Sequence, residues 1–280
     1  MDISLVISTR NRASQLEQAL NSYARLQYEG AWELVIVDNG SSDATTQVLE
    51  AFGRSFSGHL RLLHHERPGL GGARNAGWRA ARGSIVAFTD DDCYPREDYL
   101  SRIQSCFSDP RMGFAAGRVL LYDQLDYPVT IQLSDRRVEF PPKSYIAPGD
   151  IHGANFGFRR QALEAVGGFD ERLGAGSKYH SAEDTDAVAR VSAMGWWGVY
   201  DPAPTVLHHH RRRAPEQLRQ LKKAHGIGAG AYFIKCLANP ELRGKYLYRW
   251  PKAMMRSGLR RSLWQVVGAW RFLAAERTHK

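Results

Sequence analysis

Three short apolar runs, in ISLVIST, WELVIVDNG and GSIVAFTDDD, each end in a polar loop, and helix-like patterns separate them. Leu16, Leu20 and Tyr23 follow a spacing near 3.6, and Val48 to Phe52 fits another helix. Continuous apolar strands alternating with helices argue for an α/β chain built on a parallel sheet covered on both faces. Such sheets bind ligands beyond the carboxyl ends of their strands. The endings TRNR, DNGSSD and TDDD are therefore expected to meet in one crevice.

The rest of the chain divides by texture. Residues 123–150 are proline-rich and of mixed polarity, which predicts a long excursion or flexible loop. A strand-like segment, HGANFGF, then leads into a helix closed by Gly167 and Gly168. From about residue 211 the chain reads as helical and basic. The expected organisation is a domain over residues 1–210, with halves of about 1–122 and 123–210, and an extension over residues 211–280.

Net charge sharpens that boundary. The whole chain carries +9, yet residues 1–210 hold 21 Lys and Arg against 26 Asp and Glu, whereas residues 211–280 hold 17 against 3. An anionic membrane or a nucleic acid is the natural partner of such a tail. No groove-reading motif accompanies it, and the larger region is acidic, so a nucleic-acid partner is not expected. With 43% hydrophobic residues the chain can bury a core. The opening MDISLVISTRN lacks a basic and apolar leader, so no signal peptide is expected, and no run of about 18 apolar residues predicts a membrane-spanning helix. Cys93, Cys106 and Cys236 form no CxxC pair, which fits a reducing compartment and a cytoplasmic location.

Chemistry concentrates at the acids. Asp90 and Asp92 can present two carboxylates to one divalent cation, and hard oxygen ligands suit Mg²⁺ or Mn²⁺. An acidic turn capping the next helix is the plainer reading. Asp38 can accept hydrogen bonds from a base or ribose, while Asp43 suits a helix cap. RPGLGGARNAG falls short of a dinucleotide fingerprint, because Arg74 follows Gly69-x-Gly71-x-x and no strand runs into it. It still describes a glycine loop entering a helix, with Arg74 and Asn75 as donors in the first turn. Glu183, Asp184 and Asp186 open another helix, with Asp186 and Arg190 spaced for an i,i+4 pair. A carboxylate there, beside a metal-bound substrate, suits general-base duty toward a hydroxyl. His208 ends an apolar stretch and suits an inward, neutral metal ligand, while His209 and His210 are left undetermined.

Taken together, VISTRNR, IVDNGSSD, GGARNAG, FTDDDCYP, GGFDERLG, EDTDAVAR and VLHHH resemble the family 2 glycosyltransferases, over roughly residues 1–210. The resemblance implies a GT-A fold, Rossmann-like, with a mostly parallel sheet flanked by helices. It also implies an inverting sugar transfer from a nucleotide-sugar donor to a hydroxyl of a glycan or lipid-linked saccharide. Carried over by position, it places Thr9, Asn11, Asp38, Arg74, Asp90 and Asp91 on the donor side. It places Asp90 and Asp92 on the Mn²⁺ or Mg²⁺ ion, His208 as a further ligand, and Asp184 as the base with Glu183 beside it.

A sugar-phosphate nucleotidyltransferase is the rival enzyme class, but it begins with a glycine-rich loop and a lysine that ISTRNRASQ lacks. A scaffold that keeps the fold without catalysis is the non-enzymatic rival, and the intact DDD and ED elements argue against it. In the tail, Leu259, Leu263, Val266, Trp270 and Leu273 form one helical stripe near Arg256, Arg260 and Arg261. That pattern over residues 244–280 suits a helix lying in an anionic membrane surface, which would put the protein at the inner face of the cell membrane. A helix packed on the catalytic domain or in a homodimer is the alternative.

Overall fold

The computed structural model describes residues 1–277. The first half alternates β1 (Ile3–Thr9), α1 (Leu16–Ala24), β2 (Trp32–Asp38), α2 (Thr45–Ser55), β3 (His59–His64), α3 (Leu70–Ala80) and β4 (Ile85–Asp90). There follow β5 (Cys93–Pro95), α4 (Tyr99–Ser105), β6 (Met112–Leu121), β7 (Val138–Phe140), β8 (Asn155–Arg159) and α5 (Arg160–Ala165). The chain continues through α6 (Glu183–Ala193), β9 (Trp197–His208), α7 (Pro215–Ala238), α8 (Pro240–Ser257) and α9 (Leu259–Arg277).

The nine strands among the described residues join one sheet in the order β3-β2-β1-β4-β8-β6-β9-β5, with β7 also on β9. The β3-β2-β1-β4 half is parallel throughout. Antiparallel β8 separates it from the parallel β6–β9 pair. Side chains alternate between two covers, as the strand period of two requires. Leu5, Leu34 and Ala87 enter the layer beneath α1 and α4, whereas Val6, Val35, Val86 and Phe88 enter the layer shared with α5 and α6. Continuous apolar runs are what a sheet buried on both faces needs.

The excursion over residues 123–150 is partly ordered. Its β7 pairs antiparallel with β9, and Gln132 bridges to Val119.

The basic extension is built into the main core. Tyr232 and Phe233 of α7, and Leu242 and Tyr246 of α8, belong to the same buried cluster as Phe88 and Phe156. The Tyr232 hydroxyl bonds the Ile146 carbonyl at 2.8 Å and the Tyr246 hydroxyl at 2.6 Å, tying both helices to the excursion. Helix α9 then lies against α7 at very close range. A Cβ on Gly230 would fall 2.0 Å from the Gln265 carbonyl, and one on Gly268 would fall 2.0 Å from the Ile227 carbonyl. Glycine at both positions lets the two backbones approach.

Ala269 and Phe272 of α9 are buried by this contact, whereas its Leu259, Leu263, Val266, Trp270 and Leu273 remain exposed. No described helix is long and apolar enough to cross a membrane.

Candidate active site

Parallel register brings the polar strand ends together. Thr9 pairs with Asp38 and Ser8 pairs with Asp90, so the endings of β1, β2 and β4 share one edge of the sheet. Antiparallel pairing of β5 with β9 sets Cys93 opposite His208, which delivers the histidine from far along the chain. These elements border a cleft of about 770 Å³ that Thr9, Arg74, Asp90, Asp91, Asp92, Asp184 and His208 all line.

Carboxylate crowding dominates one wall. Asp90, Asp92, Cys93 and His208 offer donor atoms within 4.8 Å of one another. Burial, opposed by Arg74 and aided by Asp92, raises the pKa of Asp90. Burial and neighbouring Asp92 push Asp91 up to about 7. Asp92 moves the other way: burial opposes its charge, but the bond to His208 and the charges of His208 and Arg12 hold it below the usual carboxylate range. Its Oδ1 lies 3.3 Å from His208 Nε2. Nδ1 of His208 faces the Thr130 carbonyl at 3.1 Å, a bond that fixes the ring and directs Nε2 at the acids. Burial raises the Cys93 thiol well above its ordinary value and keeps it protonated. Carboxylate oxygens with one imidazole are a donor set that fits Mn²⁺ or Mg²⁺, hard ions for which the Cys93 sulfur is the poorer ligand.

Arg74 connects this wall to the opposite one. Its Nη2 bonds Asp90 Oδ1 at 3.1 Å, and its Nη1 bonds Glu183 Oε1 at 2.7 Å. The guanidinium is buried and lies 5.1 Å from the Phe156 ring centroid. Gly153 permits this approach, since a Cβ there would sit 3.0 Å from both Arg74 Nη2 and Asp184 Oδ2.

The structure separates the two acids that open α6. Glu183 is buried and paired with Arg74, and burial plus the charge of Asp184 raises it to about 7. Asp184 is partly exposed to the cleft, with Oδ1 held by the Thr185 amide at 2.6 Å. Immediately before them, His180 and Ala182 take left-handed conformations with φ of 63° and 76°. Non-glycine residues rarely adopt this region, and such strain clusters at functional sites.

Two expected donor contacts stand off the cleft. Asp38 accepts from the Ser41 amide at 2.9 Å and from Thr46 Oγ1 at 2.5 Å, and it does not line the cavity. Asn11, with φ of 52°, accepts from the Ser42 amide at 2.8 Å and ties the first loop to the second. Both shape the rim. Asp43 accepts from the Thr45 amide at the start of α2, which is the structural duty expected of it.

The fold brings further residues to the site. Arg12 approaches Asp91 at 3.5 Å and Asp92 at 3.7 Å. Its place in TRNR, beside Thr9, was the available signal. Asn39, His152 and Arg212 also line the cleft, as do Lys222 and His225 of α7 and Arg261 of α9. Asn39 belongs to the DNGSSD ending and His152 to HGANFGF, whereas no local pattern marks Lys222, His225 or Arg261, which helix packing brings in. The histidine triplet is resolved: only His208 lines the cleft, while His209 contacts Tyr94 and His210 bonds the Tyr127 carbonyl.

Comparison with known proteins bears on the family and the fold. The chain is 30% identical over 219 residues to the pre-mycofactocin glycosyltransferase of Mycobacterium tuberculosis, covering 75% of this chain and 43% of that protein. It thus spans less than half the length of that relative. It is 28% identical over 246 residues to the glycosyltransferase AglE of Haloferax volcanii, covering 86% and 76%.

Among solved structures, it superposes on the mannosyltransferase PcManGT of Pyrobaculum calidifontis, in complex with GDP-Man and Mn²⁺, with a TM-score of 0.64 and 22% identity, covering 97% and 80% of the two chains. S. aureus TarS in complex with UDP-GlcNAc gives a TM-score of 0.68 and 16% identity, covering 98% and 81%. At these identities the likeness establishes the shared GT-A fold. The model of glycosyl transferase family 2 matches residues 4–167, more than half of the sequence, and the chain belongs to that family.

Proposed function

We propose that the protein transfers a sugar from a nucleoside-diphosphate sugar to an acceptor hydroxyl by a single displacement with inversion. One observation carries the reading: the Asp90–Asp92–His208 group and the Asp184 carboxylate line the same cleft, joined through Arg74 and Glu183. Asp90, Asp92 and His208 would hold Mn²⁺ or Mg²⁺, which neutralises charge on a departing diphosphate. Thr9, Asp91 and Arg12 border the donor side, and Asp38 and Asn11 hold the loops that frame the base. Asp184 takes the proton of the attacking hydroxyl. Glu183, occupied by Arg74, positions α6. Residues 1–122 act as the donor half, 123–210 as the acceptor half, and 211–280 complete the cleft.

The scaffold alternative is separated by donor hydrolysis. Purified protein with Mn²⁺ should release nucleoside diphosphate from one member of a panel of UDP-, dTDP- and GDP-sugars, and the same member should raise the melting temperature. An absence of both effects across the panel would overturn the reading.

The exposed α9 stripe, among Arg256, Arg260 and the other cations of the tail, supports docking on an anionic membrane at the inner face of the cell membrane. Since the opposite face of α9 is packed on α7, the helix lies on the body of the protein and offers one side outward. A glycan or lipid-linked saccharide presented at that surface is the acceptor this arrangement favours.

A further inference from the structure

Beside the main cleft lies a second cavity of about 330 Å³, and the two share Pro148, Ala229 and Arg261 as lining. Arg249, Lys252, Arg256 and Arg261 border it, and no carboxylate does. None of these four cations forms an ion pair among the described residues. Lys252 bonds the Tyr248 hydroxyl, and the Arg249 guanidinium lies 5.6 Å from the Tyr145 ring centroid. Arg261 Nε is buried without a hydrogen-bond partner. Arg249, Lys252 and Arg256 are exposed and add their like charges at one rim, while the buried Arg261 donor lacks a partner, which is costly. A multiply charged anion relieves both penalties, and arginine forks match the oxygens of a phosphate group.

Position ties the cavity to the reaction side. Arg261 faces both spaces, and His225 feels the charges of both Arg261 and Asp184. The metal-ligand group is on the other wall with Arg12. We propose that this second cavity seats a phosphate or diphosphate carried by the acceptor, whose sugar hydroxyl then reaches Asp184 in the adjoining cleft. The proposal rests on the glycosyl-transfer reading and adds the chemical class of the acceptor.

Isothermal titration of the full chain in EDTA tests it, with inorganic diphosphate, farnesyl diphosphate and uncharged farnesol as probes. The wild-type protein should bind both diphosphates, R249Q/R256Q should bind them at least tenfold more weakly, and R249K/R256K, which keeps the charge but not the fork, should recover part of the affinity. R12Q, which alters the donor side, should bind as wild type. Farnesyl diphosphate binding tenfold tighter than inorganic diphosphate would support the seat and assign a lipid-linked acceptor; equal binding would support it and assign a soluble phosphosaccharide. No diphosphate binding, loss in R12Q in place of R249Q/R256Q, or equal loss in the Gln and Lys variants would overturn it. Donor hydrolysis by the wild-type chain is read separately. Hydrolysis without diphosphate binding sinks the acceptor seat alone, whereas the absence of both hydrolysis and donor-induced stabilisation sinks the glycosyl-transfer reading.

Discussion

His208 Nε2 lies 3.3 Å from Asp92 Oδ1, although Asp92 sits in the turn between β4 and β5 and His208 closes β9, far along the chain. The antiparallel β5–β9 ladder makes that contact, and Thr130 orients the ring from behind. In the resting protein the acids are partly answered by Arg12 and His208. A divalent cation carrying a diphosphate would displace some of that pairing and resolve the remaining repulsion.

Removal of the imidazole should therefore weaken the metal site without unfolding the chain. His208→Ala is expected to reduce Mn²⁺ affinity by about 10- to 100-fold, on the scale at which perturbing a metal site's ligand environment acts. Titration of Mn²⁺ by calorimetry or by electron paramagnetic resonance checks this, and unchanged affinity would remove His208 from the ligand set.

Proton competition gives a second expectation. Asp91 is raised to about 7 by burial and by Asp92, and Asp90 is raised chiefly by burial. A carboxylate whose folded pKa exceeds its unfolded value binds more protons folded than unfolded. Its contribution to stability is then greatest at low pH and falls as pH rises from about 4 toward 7. Metal binding demands the deprotonated form, so the rise in melting temperature on adding Mn²⁺ should be larger at pH 8 than at pH 5.5. An equal rise at both pH values would contradict this assignment of protons.

Stability of the extension should hinge on its glycines. Gly230→Val places side-chain atoms where the Gln265 carbonyl already lies, 2.0 Å from the Cβ position. The loss should be about 2 kcal/mol or more, because overpacking against backbone is hard to relax. Urea unfolding measures it. The same substitution at Gly244, which has open space around its Cβ position, should cost far less.

Membrane docking is tested on the exposed stripe. Leu263 and Trp270 are 57% and 68% exposed, so L263E/W270E should leave the fold and the melting temperature nearly unchanged. The variant should lose flotation with liposomes containing anionic phosphatidylglycerol, while wild-type protein floats with them and not with neutral liposomes. Equal flotation of both proteins would assign the stripe another partner.

Much of this site is legible in sequence because strand ends are local signals. The runs ISLVIST, WELVIVD and IVAFTD announce their own geometry, and parallel register then forces Thr9, Asp38 and Asp90 to one edge. His208 was readable for the same reason, as the polar end of an apolar run. The family resemblance places Asp38 and Asn11 on the donor side, and the fold adds that their side chains hold the adjoining turns. Sequence shows that a polar residue ends a strand, and only packing shows whether its atoms remain free. The cationic wall was hidden for a different reason. Arg212 lies in the loop before α7, His225 on α7 and Arg261 on α9, and the close α7–α9 packing at their glycines accompanies the arrival of Arg261 at the cleft.

The central claim concerns one carboxylate. Asp184→Asn keeps the size and the α6 turn but removes the base, and general-base catalysis typically contributes about 10²- to 10⁴-fold. With donor and acceptor in hand, the turnover of D184N should fall by about 10³-fold while its affinity for the Mn²⁺-bound donor, read by calorimetry, stays within twofold. Transfer by D184N at the wild-type rate, with donor binding intact, would contradict the account.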